Sequence, residues 1–332
     1  MTYFKHIFHP EQYHGASKKP PFFEGWYFKI VDAVGRQKFA IIPGVFLHQK
    51  HADRHSFIQV LDGVTGKSTY HRFPFESFSF DPARFDIRIG ANRFTRYSIS
   101  LDIDGNGQVV KGTLEFADIK PWPMTLKSPG VMGWYAWIPV MECNHGVLSM
   151  DHEISGSLRI DGVSADFTGG RGYIEKDWGK SFPLAHIWMQ SNNFGVPGTS
   201  LSASVATIPW TGYSFPGFIV GLLHQGRLHR FATYTGAKIT SLDVTDTDIH
   251  WSMASKRKRL DIHATRTNGG LLHAPTTAEM SQRLMESLTS SVDVTLTDHD
   301  GQTIFSGHGA HAGLEVGGNI DNLISLWKTS KK

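Results

Sequence analysis

Apolar and polar positions alternate in short runs along most of this chain, and glycine-bearing turns separate the runs. Phe28–Val31 and Lys38–Ile42 flank a turn through Val34-Gly35-Arg36. Tyr97–Ile103 and Gln108–Phe116 flank Asp104-Gly105-Asn106-Gly107, and Ser157–Ile160 and Val163–Phe167 flank Asp161-Gly162. The last is a two-residue loop of the kind whose twist matches that of paired strands. The same unit recurs as Ile219–Leu223 with Leu228–Tyr234 around Gln225-Gly226, then as Asp248–Met253 with Arg259–Thr265, and as Val292–Thr297 with Thr303–Gly307. A period of two punctuated by glycine and aspartate predicts an antiparallel all-β protein, either sandwich or barrel. Helical signals are few: Thr276–Leu288 and Asn319–Trp327 each predict one short helix.

A faint internal echo suggests how the strands divide. Phe23-Glu24-Gly25-Trp26-Tyr27 and Glu175-Lys176-Asp177-Trp178-Gly179 each set a glutamate two or three residues before a tryptophan at the entry to a β-rich half. This predicts two β-domains of similar size, residues 1–170 and 171–332, with the second motif at the start of the second domain.

Composition narrows the function classes. A chain of 332 residues, 40% apolar and 19% charged, sustains two packed cores. The longest apolar runs, such as Phe218–Leu223, are far shorter than a membrane span. The N-terminal MTYFKHIFHPEQYHG has no apolar h-region, so an unprocessed cytoplasmic protein is expected. Cys143 is the only cysteine, which excludes an intrachain disulfide and argues against a cysteine metal site. The net charge, 33 − 30 = +3, does not support a nucleic-acid partner. The 22 Phe, 9 Trp and 9 Tyr point instead to large apolar interiors or an apolar small-molecule ligand.

Candidate chemistry is densest between Gly172 and Asn193. With strand periodicity, Tyr173, Glu175 and Asp177 share one face, and Ile174, Lys176 and Trp178 the other. Further on, Trp188, Gln190 and Asn192 share a face. Burying acids and amides together is unfavourable unless they are used. Histidines do not assemble a convincing metal site. His48, His51 and His55 sit among polar residues, and His308 and His311 among Gly and Ala, so no metal is expected. The run Lys256-Arg257-Lys258-Arg259 predicts a charged hairpin tip, with transient contact to an anionic membrane surface as an alternative.

These motifs resemble those of the tocopherol cyclase family. The resemblance is carried by Pro21-Phe22-Phe23-Glu24-Gly25-Trp26-Tyr27-Phe28-Lys29 and by Gly172-Tyr173-Ile174-Glu175-Lys176-Asp177-Trp178-Gly179 with Ser181-Phe182-Pro183 and Trp188-Met189-Gln190-Ser191-Asn192. Weaker matches are Met141-Glu142-Cys143-Asn144-His145-Gly146, Met285-Glu286-Ser287 and Gly313-Leu314-Glu315. The plant cyclases carry Asn where this chain has Asp177. The resemblance implies two lipocalin-like antiparallel β-barrels packed against each other, with few short helices. It also implies an isoprenoid or other apolar substrate, and relatives that include carotenoid hydratases.

The implied reaction protonates a prenyl alkene and traps the tertiary cation with a phenol oxygen. It needs a carboxylic acid kept protonated in a dry site, and no cofactor. Glu175 and Asp177 lie two strand residues apart, roughly 6–7 Å, so each opposes ionisation of the other; they are the expected acids. Trp26, Trp178 and Trp188 are expected to shelter the cation with their π faces. Tyr173, Gln190 and Asn192 complete the substrate-binding set, and Glu142 with His145 forms a candidate proton relay. Structural alternatives stand beside these roles. Trp26 and Trp178 equally suit packing at a barrel floor, Glu24 and Glu175 suit pairing with Arg171 or Arg283, and Glu142–His145 suits a structural pair. An isoprenoid hydratase and a non-catalytic carrier of an apolar ligand are the competing functions.

Overall fold

The structure is a computed structural model describing residues 7–126, 128–138, 141–210 and 212–329; the first six residues of the N-terminal stretch discussed above lie outside it. The regular structure of the described chain is nearly all strand. The first sheet comprises β1 (Phe22–Val31), β2 (Lys38–Leu47), β3 (His55–Asp62), β4 (Ser68–Pro74), β5 (Phe78–Phe80), β6 (Asp86–Ile89), β7 (Asn92–Thr95), β8 (Ser98–Gly105), β9 (Gln108–Ala117), β10 (Cys143–Ile160), β11 (Val163–Asp166) and β12 (Gly170–Gly179). Its order is β4-β3-β2-β1-β12-β10-β9-β8-β7-β6-β5, with β11 beside β10. The second sheet comprises β13 (Ala185–Ser191), β14 (Asn193–Phe194), β15 (Ser200–Trp210), β16 (Tyr213–His224), β17 (Arg227–Ala232), β18 (Lys238–Val244), β19 (Asp248–Ala254), β20 (Lys258–Thr265), β21 (Gly270–Pro275), β22 (Met280–Asp298) and β23 (Thr303–Gly318). Its order is β17-β16-β15-β13-β23-β22-β20-β19-β18, with β14 on β23 and β21 on β22.

The predicted turns form as their residues require. Asn106-Gly107, Asp161-Gly162 and Gln225-Gly226 all have both residues at positive φ. That geometry makes a two-residue hairpin, and it pairs Gly105 with Gln108, Ile160 with Val163, and His224 with Arg227. The basic run is also at a hairpin end, where the Ser255 N–H donates to the Lys258 carbonyl at 2.8 Å.

Each sheet gathers its apolar side chains into its own core. In the first, Phe28, Ile41, Val60, Phe94, Leu114, Leu148 and Ile174 belong to one buried cluster. In the second, Ile187, Met189, Val205, Val220, Trp251, Ile262 and Val294 do the same.

Three expectations are corrected. The division falls at Phe182/Pro183, not 170/171: one compact unit is Met1–Phe182 with Gly270–Arg283, the other Pro183–Gly269 with Leu284–Lys332. The reason is strand pairing, since β12 fills the space between β1 and β10. The two echoing motifs therefore do not open two halves. They are antiparallel neighbours, with Glu24 opposite Trp178 and Tyr27 opposite Glu175. Finally, Thr276–Leu288 is not a helix. Thr276 and Glu279 close a turn, and the chain then runs as β22, whose residues alternate buried and less buried positions from Leu288 to Leu296 and pair with the neighbouring strands. A weak helical propensity yields to sheet pairing there. The other helix forms as α1 (Ile320–Thr329), with the Asn319 side chain accepting the Asn322 N–H at 3.0 Å and Leu323 and Trp327 buried.

Segment 270–283 joins the first unit through specific contacts. The Gln59 side-chain amide donates to the His273 carbonyl at 2.9 Å and accepts the His273 N–H at 2.8 Å. No helix among the described residues is long and apolar enough to cross a membrane.

Candidate active site

β12 presents two chemically different faces. On the face turned away from the apolar core lie Tyr173, Glu175 and Asp177. The Tyr173 hydroxyl donates to Glu175 Oε2 at 2.6 Å. Opposite Asp177 on β10 stands His145, whose Nδ1 lies 2.9 Å from Asp177 Oδ1 and whose Nε2 lies 3.7 Å from Glu175 Oε2. A register shift in β10 follows between Val147 and Ser149, as bulges beside reactive sites often re-aim side chains. Glu175 is only 5% exposed, while the Asp177 side chain keeps 26% of its surface. The result is a continuous polar chain, Tyr173–Glu175–His145–Asp177, that begins in a buried hydroxyl and ends near solvent. Such a chain can hold and transfer a proton.

The same three side chains, His145, Glu175 and Asp177, each offer one ligand atom within 4.8 Å of the others, so this group has the composition of a divalent-cation site. The histidine clusters at 48–55 and 308–311 do not form such a group among the described residues. His55 is buried and bonded to the Tyr70 hydroxyl at 2.7 Å, not part of a solvated loop.

On the core-facing side of β12 lies a fully buried ion pair between Lys176 and Glu24. Glu24 also accepts the N–H groups of His14, at 2.9 and 3.0 Å, and of Gly15 at 3.0 Å. Lys176 donates to the Pro10 carbonyl at 2.8 Å and to that of Gln12. Together the two charges pin residues 10–15 to the sheet. Burial pushes the Glu24 carboxyl up and the Lys176 ammonium down; their mutual attraction and these hydrogen bonds oppose both shifts. The ammonium sits 4.8 Å from the centroids of both Trp26 and Trp178. The indole faces expected to shelter a substrate cation therefore already hold one supplied by the chain.

A pocket of about 90 Å³ opens beside this pair, lined by His145, Trp178, Met132 and Leu148 among others. Its walls come from the pinned N-terminal segment, from the 121–138 loop and from β10. His145 links the pocket to the polar chain. Trp178 lines it, whereas Trp26 is fully buried and bonds the Glu11 carbonyl through Nε1 at 2.9 Å.

The remaining expected site residues lie elsewhere. Glu142 accepts the Ser181 hydroxyl at 2.7 Å, and the carboxylate bonded to His145 is that of Asp177, so the Glu142–His145 relay is replaced by Asp177–His145. In the second unit, Ile187 and Met189 enter the apolar core. Trp188 and Gln190 consequently face away from it, though both are buried. Gln190 Nε2 donates to Asn192 Oδ1 at 3.4 Å. Arg171 pairs with Asp151 and Arg283 donates to the Pro275 carbonyl, so neither serves Glu24. Glu24 and Lys176 stand in the two motifs, but nothing local signalled that they pair, and the pocket residues such as Glu11, Trp122 and Met132 carried no periodic or motif signal. They become visible only when distant segments meet.

Residues 101–318 match the family described as tocopherol cyclase-like. The chain belongs to that family. The matched span contains Glu142, His145, Tyr173, Glu175, Asp177 and Trp178. It is 23% identical to a probable chloroplastic tocopherol cyclase of Oryza sativa subsp. japonica, over 80% of this chain and 67% of that protein. It is 24% identical to the chloroplastic tocopherol cyclase of Zea mays, over 80% of this chain and 66% of that protein. The chain thus spans about two thirds of the length of these relatives. Among solved structures, CghA with Sch210972 superposes with a TM-score of 0.60 at 12% identity, covering 90% of this chain and 89% of that one. At that identity the likeness is one of fold, and the fold is two lipocalin-like β-barrels.

Proposed function

We propose that the protein is an acid-catalysed cyclase that closes a ring on a prenylated aromatic or related isoprenoid. The observation that carries this reading is the polar chain Tyr173–Glu175–His145–Asp177, hydrogen-bonded at its two ends and joined by a 3.7 Å Glu175–His145 contact, with His145 also lining a pocket that has apolar walls. In the reaction, a proton held by the Glu175–His145–Asp177 group adds to a prenyl alkene. The π bond is consumed, a C–H bond forms and a tertiary cation results. The phenol oxygen attacks that cation, forming a C–O bond as its O–H breaks, and the released proton restores the acid. Atoms balance without an oxidant or reductant, so the step is an isomerisation. Glu175 is buried, which meets the dry-site requirement of this chemistry. Asp177 orients the His145 ring, so it serves as a positioning residue.

The test is incubation with a phytylated methylquinol, with chromanol followed by mass spectrometry, beside Glu175→Gln, Asp177→Asn and His145→Gln proteins. Chromanol from the unmodified protein, reduced at least a hundredfold by Glu175→Gln, supports the cyclase. A product heavier by one water makes the protein a hydratase. Retention of intact quinol with no product, unchanged in Glu175→Gln, makes it a carrier.

A further inference from the structure

The pocket that His145 lines contains two buried polar atoms with no hydrogen-bond partner among the described residues. One is Glu11 Oε2, in a residue only 8% exposed; the other is the indole Nε1 of Trp122, in a residue 2% exposed. Glu11 Oε1 is bonded to His9 Nδ1 at 3.0 Å, whereas Oε2 lies 3.9 Å from the Arg96 guanidinium, beyond hydrogen-bonding distance. Buried polar groups are nearly always paired, so two orphans in one pocket call for an explanation. A carboxylate only accepts hydrogen bonds, whereas an indole N–H only donates. The complement of an acceptor and a donor is a group that both donates and accepts.

We infer that Glu11 and Trp122 hold a hydroxyl-bearing head of the ligand, the Glu11 carboxylate accepting from a phenolic O–H and the Trp122 N–H donating to a phenolic oxygen. A pocket of about 90 Å³ has room for a small polar head and not for an isoprenoid tail. Trp178, Met132 and Leu148 supply apolar contact beside it. The N-terminal segment is pinned by Lys176 and Glu24 close to Glu11, which gives that buried ion pair a use: it holds the hydroxyl acceptor in place. This inference rests on taking the pocket as the substrate site, but it concerns recognition and not proton transfer.

The experiment measures binding by equilibrium dialysis of a phytylated methylquinol and of its dimethyl ether, which cannot donate, to the unmodified protein, Glu11→Gln and Trp122→Phe. The unmodified protein is expected to prefer the quinol by about tenfold. Each variant reduces that preference to threefold or less while binding the ether as before. If Trp122→Phe does not fold, Glu11→Gln decides alone. The inference is overturned if the unmodified protein shows no preference, if both variants keep it, or if a crystal structure with the quinol places only water against Glu11 and Trp122. A preserved preference without chromanol formation sinks the cyclase reading and leaves the hydroxyl site standing. Chromanol formation without the preference does the reverse.

Discussion

A buried glutamate stands at each face of β12, and the two meet opposite surroundings. On one, Glu175 and Asp177 meet His145 and Tyr173 in a chain that reaches partly exposed ground. On the other, Lys176 meets Glu24 with no exposed surface at all, between two indoles and beneath a strapped-down segment. The first face links a buried carboxyl to a partly exposed one, as the proposed acid requires. The second has its charge neutralised and every surrounding group committed to holding it. What separates the proposed acid from the structural one here is access to partly exposed ground, not residue type or motif membership.

The comparison breaks most forcefully at Lys176. Lys176→Met leaves the Glu24 carboxyl buried without its counter-charge and is expected to destabilise the first unit by about 3–5 kcal/mol. The double variant with Glu24→Gln recovers most of that loss. Urea unfolding of the single and double variants checks it, and full additivity would mean the two groups are not coupled. Glu175→Gln is the counterpart on the other face. It keeps an acceptor for the Tyr173 hydroxyl, so stability changes by only about 1 kcal/mol. Turnover falls by about 10²–10⁴-fold. A variant equally damaged in fold and activity would place Glu175 with the structural acids.

The core side of the first sheet should also resist any charge brought to it. His152 is buried against Phe116, with Nδ1 2.9 Å from the Ser149 hydroxyl; burial, then the charge of Arg171, pushes it down from 6.5 to about 3. A depressed histidine contributes stability that is fully present above pH 6.5 and lost as the pH falls toward 3. The expected loss is about 1.4 kcal/mol per pH unit in that window, or about 2 kcal/mol at pH 5. Denaturant midpoints between pH 7 and pH 4 measure it, and His152→Gln should flatten the dependence. The smallest effect is expected at the surface. Lys111, paired with Asp102 and Asp104 in the open, can be changed to Ala with no measurable shift in the unfolding midpoint.

Local pattern accounts for much of this protein. Period-two alternation places Ile174, Lys176 and Trp178 opposite Tyr173, Glu175 and Asp177, and the residues at Asn106-Gly107, Asp161-Gly162 and Gln225-Gly226 dictate their own hairpins. These features are legible because they depend on neighbours two to four residues away. They were also enough to select the segment that holds the candidate acids. Tertiary structure alone decided the rest. Whether Glu175 or Glu24 is the structural acid depends on strand order, which sets Glu24 against Lys176 and brings His145 to Asp177 across more than thirty residues of chain. The indoles of Trp26 and Trp178 are claimed by Lys176 because β1 and β12 are neighbours, and Glu11 and Trp122 share a pocket although neither lies in a motif. Periodicity states which way a side chain points within its strand. What it meets is set by pairing between segments far apart in sequence, where burial and partner together determine the chemistry.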